Sequence, residues 1–142
     1  MNRDRLKFQL KHDEGWRASA YQDHLGFWTI GYGFLIDERR CGKLPARVAE
    51  FWLDHLLDKL TAELAVRVPC WDEQPEIVQE ALANMAYQLG VNGLLKFKRM
   101  LRAVALRHYG EAARHALDSK WAEQTPNRAR RVANMIRAGI SA

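Results

Sequence analysis

The sequence predicts a mostly helical α+β fold, and three observations carry that prediction. One stretch of period-two alternation lies near the N-terminus, between Phe27 and Ile36. A helical run of about 22 residues follows it, which at 1.5 Å per residue would reach roughly 33 Å. Further helical patterns fill most of the chain beyond Pro69. The chain has 142 residues, 48% of them hydrophobic and 27% charged, enough for one ordinary core or two small lobes. Disordered and fibrous classes are excluded on the same grounds.

The first helix is predicted from Asn2, which can cap its start, through Leu6 and Leu10 at i,i+4, to Gly15, which can end it. Glu14 is four residues after Leu10, so it shares the leucines' face and is expected to turn toward the core. A carboxyl at the negative end of a helix is favoured in its protonated form, which suits a general acid. Asp23-His24-Leu25-Gly26 reads as a turn. From Phe27 onward Trp28, Ile30, Tyr32 and Phe34 fall on one strand face, and Phe27, Thr29, Gly31, Gly33 and Leu35 on the other. The glycines leave that second face open around Thr29, as the floor of a cleft with Asp23 at its mouth.

Pro45 is placed at a first helical position, followed by Val48, Phe51, Trp52, Leu56, Leu60 and Leu64 at helical spacing. So long a helix suggests a connector between two lobes, with a groove between them. Helical patterns then run about 75–89, 94–107, 110–119 and 126–138. In the last, Thr125 caps, Pro126 opens, Val132, Met135 and Ile136 form the apolar stripe, and Gly139 closes.

Glu14, Asp23 and Thr29 together suggest acid/base hydrolysis. Taken singly, each has an ordinary structural reading: a helix end, a turn former and a good strand residue. Their convergence on one groove is what points to chemistry. Cys41 and Cys70 match no metal motif and are expected as free thiols, and the five histidines show no ligand spacing, so neither metal nor cofactor is expected. The first residues, Met1 to Lys7, form no apolar signal region, and no apolar run approaches the roughly 18 to 20 residues of a membrane span. The chain is therefore expected in the cytosol after synthesis.

At this point the sequence resembles the phage-type lysozymes or endolysins, the T-even phage lysozyme-like muramidases. The likeness rests on Glu14-Gly15, Tyr21-Gln22-Asp23, the hairpin sequence Thr29-Ile30-Gly31-Tyr32-Gly33, the block from Asn84 to Gly90, and Trp121 with Gln124-Thr125-Pro126-Asn127-Arg128-Ala129. It implies a single lysozyme-like domain over 1–142. A small N-terminal lobe with a β-hairpin (about 1–45) and a helical C-terminal lobe (about 70–142) are joined by a long helix (about 46–68). It also implies a muramidase that cleaves the β-1,4 bond between N-acetylmuramic acid and N-acetylglucosamine. Glu14 would be the acid, Asp23 the second carboxylate and Thr29 the residue that helps hold the attacking water. Leu35, Tyr87 and Gln88 match cleft positions, and Arg128 matches an arginine that interacts with the catalytic glutamate.

The resemblance requires no metal and implies a monomer acting on peptidoglycan. A holin would release it from the host cytoplasm to the wall. Phe34 stands where many members carry histidine, and the stretch Ile36 to Pro45 is short, implying a smaller N-terminal lobe. Met100 and His115 also fall at cleft positions, but no binding role is carried onto them. Within enzymes the alternative is a lytic transglycosylase, which would use Glu14 alone and leave an anhydro-sugar end; Asp23 and Thr29 favour water as the acceptor.

Charge is uneven. Residues 96–142 hold 11 of the 22 Lys/Arg but 3 of the 17 Asp/Glu, within a net charge of +5. A basic C-terminal region favours encounter with anionic cell-envelope material. It also raises a non-enzymatic alternative, a nucleic-acid surface of Lys96, Lys98, Arg99, Arg102, Arg107, Arg128, Arg130 and Arg131, with Trp121 for stacking. That reading leaves Glu14, Asp23 and Thr29 unexplained, and nucleic acid is not the expected partner.

Overall fold

A computed structural model describes residues 2–22, 25–32, 34–35 and 44–142. It divides into two compact units, Met1–Trp52 and Leu53–Ala142. The first unit opens with α1 (Arg3–Glu14), capped by the Asn2 side chain, which accepts from the Arg5 N–H at 2.9 Å. The helix ends at Gly15, whose φ of 70° is costly for other residues and whose N–H donates to the Lys11 carbonyl at 3.0 Å.

The expected core-facing placement of Glu14 is not what the structure shows. Glu14 is exposed, as are Phe8 and Leu10. With three apolar residues in twelve, α1 lacks the apolar stripe that would bury a face.

Strands β1 (Arg17–Gln22), β2 (Trp28–Gly31) and β3 (Phe34–Leu35) form an antiparallel sheet in that order. Within the alternation that starts at Phe27, read from its period as a strand, β2 ends at Gly31 and β3 begins at Phe34, the hairpin that the resemblance implied. Ile30 lies opposite Phe34, and Thr29 opposite Leu35. Opposed residues in a sheet share a face, so this three-residue connection preserves the alternation across the reversal.

Gly31 makes the reversal possible. Its φ is 67°, and a Cβ there would stand 2.8 Å from the Phe34 ring. Trp16, Tyr32 and Phe34 form an aromatic row, with centroids 5.2 and 6.3 Å apart along it.

The long helix α2 (Ala46–Arg67) starts one residue after Pro45, whose carbonyl accepts from the Ala49 N–H at 3.0 Å. Its predicted stripe is buried only toward the C-terminal end, at Leu64 and partly at Leu60; Val48, Phe51, Trp52 and Leu56 are exposed. After a 3-10 turn (Trp71–Glu73), the remaining helices are α3 (Glu76–Leu95), α4 (Lys98–Ala105), α5 (Tyr109–Leu117), α6 (Lys120–Gln124) and α7 (Pro126–Ala138). The expected break after residue 89 is present as a kink at Gly90 (φ 76°, ψ 160°), but the chain resumes helical geometry to Leu95 instead of pausing.

The buried hydrophobic residues described run from Leu64 to Ile136, all in the second unit. α7 packs against α5 and α3. Ala112, Ala113 and Ala116 on α5, with Ala129 and Ala133 on α7, are fully buried, so small side chains let these two backbones approach.

Two details of α7 differ from expectation. The Thr125 hydroxyl donates back to the Trp121 carbonyl at 3.0 Å instead of capping α7. Gly139 has helical φ and ψ (−56°, −25°), so no left-handed turn explains it. A Cβ there would lie 2.7 Å from Val78 Cγ2 and 3.0 Å from the Tyr109 ring. The glycine is needed for close approach.

Candidate active site

In the first unit Glu14 is presented by the end of α1, where Gly15 turns the chain into Trp16 and β1. Its carboxyl has no hydrogen-bond or ion-pair partner among the described residues and stands exposed. Thr29 occupies the central strand, with Tyr21 opposite it on β1 and Leu35 opposite it on β3. The three therefore form one row across the sheet.

The open face predicted around Thr29 is absent. Thr29 is 4% exposed, because the hairpin gives it a neighbouring strand on each side. Its Oγ1 donates to the Phe27 carbonyl at 3.1 Å. With the hydroxyl proton so used, Oγ1 can offer a further group only its lone pairs. Asp23 lies outside the described residues, as do His24, Gly33, Cys41 and Ile36. Phe34, at the family's histidine position, is exposed on β3.

In the helical unit Asn84, Tyr87 and Gln88 occupy adjacent positions on α3, at i, i+3 and i+4, and all three are exposed. Arg128, on the first turn of α7, donates from Nε to Asn84 Oδ1 at 2.9 Å and from Nη2 to the Asn84 carbonyl at 3.2 Å. Trp121 on α6 donates from Nε1 to Gln88 Oε1 at 2.9 Å, and its ring meets Phe97 edge-on at 6.0 Å. Gln88 therefore has its oxygen engaged and its amide nitrogen free to donate.

Asn84 was in the motifs quoted from sequence with no role assigned, and Trp121 was given a role only as a stacking group in the nucleic-acid alternative. The spacing of Asn84 with Tyr87 and Gln88 on one helical face was the available signal. Met100 is buried and His115 half-buried, the latter with Nε2 3.5 Å from Glu111 Oε1. Among the described residues no group of three or more His, Cys, Asp or Glu is arranged to hold a metal ion, and no helix is long and apolar enough to cross a membrane. Cys70 is a free, exposed thiol.

A small antiparallel sheet, a helix-ending glutamate and a helical unit built on α3 and α7 make up a mostly helical α+β fold of the lysozyme-like class. The chain belongs to the phage lysozyme family, whose match covers residues 11–137. It is 30% identical to a Dictyostelium discoideum protein named Probable T4-type lysozyme 1, over 94% of each chain. Its identity to Probable T4-type lysozyme 2 of the same organism is 27%, again over 94% of each. The pre-baseplate central spike protein Gp5 of Enterobacteria phage T4 is 31% identical over 92% of this chain, which corresponds to 27% of the spike protein. The family makes this protein a glycoside hydrolase of the lysozyme type, with peptidoglycan as its substrate.

Proposed function

We propose that this protein hydrolyses the β-1,4 bond between N-acetylmuramic acid and N-acetylglucosamine, with Glu14 as the general acid. Family membership supports the class of reaction, and the observation that carries the assignment is Glu14 itself. It is an exposed carboxyl at a helix end held by a glycine of positive φ, and is unpartnered among the described residues. Glu14 delivers a proton to the leaving oxygen as the bond breaks through an oxocarbenium-like transition state. Asp23 is the second carboxylate and takes the proton of the attacking water.

Thr29 orients that water. Its own hydrogen is committed to Phe27, so it accepts from the water and fixes where one O–H points. The product is of inverted configuration, which requires the two carboxyls to be roughly 6.5–9.5 Å apart with water between.

In this reading Leu35, Tyr87 and Gln88 line the glycan cleft, and Gln88 offers its amide N–H to a carbonyl of the substrate. Arg128, steadied by Asn84, supports Glu14. The two lobes are the segments about 1–45 and 70–142, joined by the helix about 46–68. The biological setting is an endolysin of a bacteriophage, working as a monomer. It is released from the host cytoplasm by a holin and lyses the host by acting on the wall in the periplasm.

Glu14→Gln keeps the shape of the side chain and removes its acid. The variant should lose at least about a hundredfold in hydrolysis of purified peptidoglycan, while its helical circular dichroism and melting temperature stay at or above those of the parent. Near-normal turnover by a folded Glu14→Gln protein removes Glu14 from the mechanism.

A further inference from the structure

The hairpin of the first unit has a second face besides the one that holds Thr29. Phe34 and Leu35 are neighbours in β3, so their side chains leave the strand on opposite sides, Leu35 in the Thr29 row and Phe34 away from it. Phe34 meets Tyr32, and Tyr32 meets Trp16, which directly follows Glu14-Gly15.

The two outer rings stay open to solvent, Trp16 at 64% and Phe34 at 61% exposure. Tyr32 is half-buried between them, tilted 51° to Trp16 and 76° to Phe34, with Lys11 Nζ 5.3 Å from its centroid. Among the described residues the Trp16 indole N–H has no hydrogen-bond acceptor and the Lys11 ammonium no ion-pair partner.

Rings braced in this way lose little freedom when a ligand arrives. An aromatic face is negative, so it attracts C–H groups that carry partial positive charge. Sugars in β-1,4 linkage present such C–H groups on their flat sides and hydroxyls around the rim, where the indole N–H can meet them. A single-stranded nucleic acid also stacks on rings, but its backbone calls for several cations. Lys11 is the one cation seated on this row among the described residues.

We propose that Trp16 and Phe34 form a glycan-stacking surface, holding peptidoglycan sugars on the hairpin face opposite Thr29, with Lys11 taking a carboxylate of the lactyl-peptide stem. The choice of ligand rests on the peptidoglycan reading. Tyr32 spaces and positions the two rings, and the strand held there lies against the unit that presents Glu14.

Binding is measured with the full chain carrying Glu14→Gln, so that the glycan stays intact. The probes are an uncharged β-1,4-linked N-acetylglucosamine hexamer, soluble peptidoglycan strands bearing their stems, and single-stranded DNA. In NMR, saturation of the sugar C–H protons should reach the Trp16 and Phe34 rings with neither ring substituted. The Gly31 and Tyr32 amide signals then give the affinity at the row itself. Trp16→Leu/Phe34→Leu keeps apolar cover on Tyr32 and removes the flat faces, so both glycans should weaken there roughly five- to a hundredfold. Either leucine alone should cost roughly two- to tenfold, which serves if the double variant does not fold.

Trp16→Phe/Phe34→Tyr should restore most of the affinity, and Phe51→Leu, at an exposed ring on α2, should leave it unchanged. Lys11→Gln should weaken the stem-bearing strands alone, an effect that fades at high salt. No ring contact from the sugars, undiminished affinity in the leucine variants, equal loss in Phe51→Leu, or preference for DNA over both glycans overturns the surface. Failure of the parent, with Glu14 intact, to hydrolyse peptidoglycan overturns the functional reading instead, whatever the row binds.

Discussion

Gly31 is where the stability of the sheet and the geometry of the site depend on one residue, so Gly31→Ala gives a quantitative test of both. An alanine at φ 67° costs about 1–2 kcal/mol in backbone strain. Its Cβ would also stand 2.8 Å from Phe34 Cδ2, so the ring must swing away and give up its edge contact with Tyr32. Such aromatic contacts contribute about 0.5–1.5 kcal/mol, and the lower end applies because Phe34 is exposed.

The sum is about 2 kcal/mol, or roughly a 30-fold rise in the population of the opened hairpin. Amide hydrogen exchange at Thr29, Ile30 and Leu35 reads that population directly. Repeating the substitution in a Phe34→Ala background removes the steric part and should leave about 1–2 kcal/mol of backbone cost. Unchanged exchange in Gly31→Ala, or complete disappearance of the cost in the Phe34→Ala background, would refute the argument that backbone conformation requires glycine here.

Thr29→Val keeps the shape but removes the hydroxyl, and should lower kcat/KM by roughly ten- to a hundredfold through misplacement of water, whereas Thr29→Ser retains most activity; steady-state assays on purified peptidoglycan decide. Trp121→Phe preserves the ring against Phe97 but removes the donor to Gln88, so KM should rise a few-fold while thermal unfolding reports a loss of about 1 kcal/mol. Gly139→Ala has no backbone cost and gains helix propensity. The 2.7 Å approach to Val78 outweighs that gain, so the variant should be destabilised by about 1–3 kcal/mol in urea titration.

The elements that sequence made legible are those whose signals are local. Asn2 and Gly15 bracket α1 because a cap and a positive φ depend on residues a few positions away. Pro126 starts α7 where its fixed φ allows. What sequence left hidden depends on pairing between distant segments. Alternation could not separate one strand from a hairpin, since a three-residue connection returns each residue to its own face. The family resemblance supplied the hairpin that alternation alone did not, but the burial of Thr29 within it was missed.

Gly139 reads as a helix stop until Val78, 61 residues earlier, is seen against it. The five-residue helix α6 is too short to show a period. At the candidate site, Glu14 was legible because a carboxyl before a helix-ending glycine is a local pattern. The Asn84 partner of Arg128 and the Trp121 partner of Gln88 were not, being 44 and 33 residues distant. Misjudging the exposure of Glu14 has the same origin, since a shared helical face predicts burial only where there is apolar surface to cover it.

The central claim is that water, positioned by Thr29 and deprotonated by Asp23, accepts the muramyl unit after Glu14 protonates the leaving oxygen. Mass analysis of the muropeptides released by the wild-type protein from purified peptidoglycan tests this most directly. Fragments ending in reducing N-acetylmuramic acid, heavier by one water than the anhydro form, are the predicted result. Fragments ending in 1,6-anhydro-N-acetylmuramic acid, or in reducing N-acetylglucosamine, contradict it.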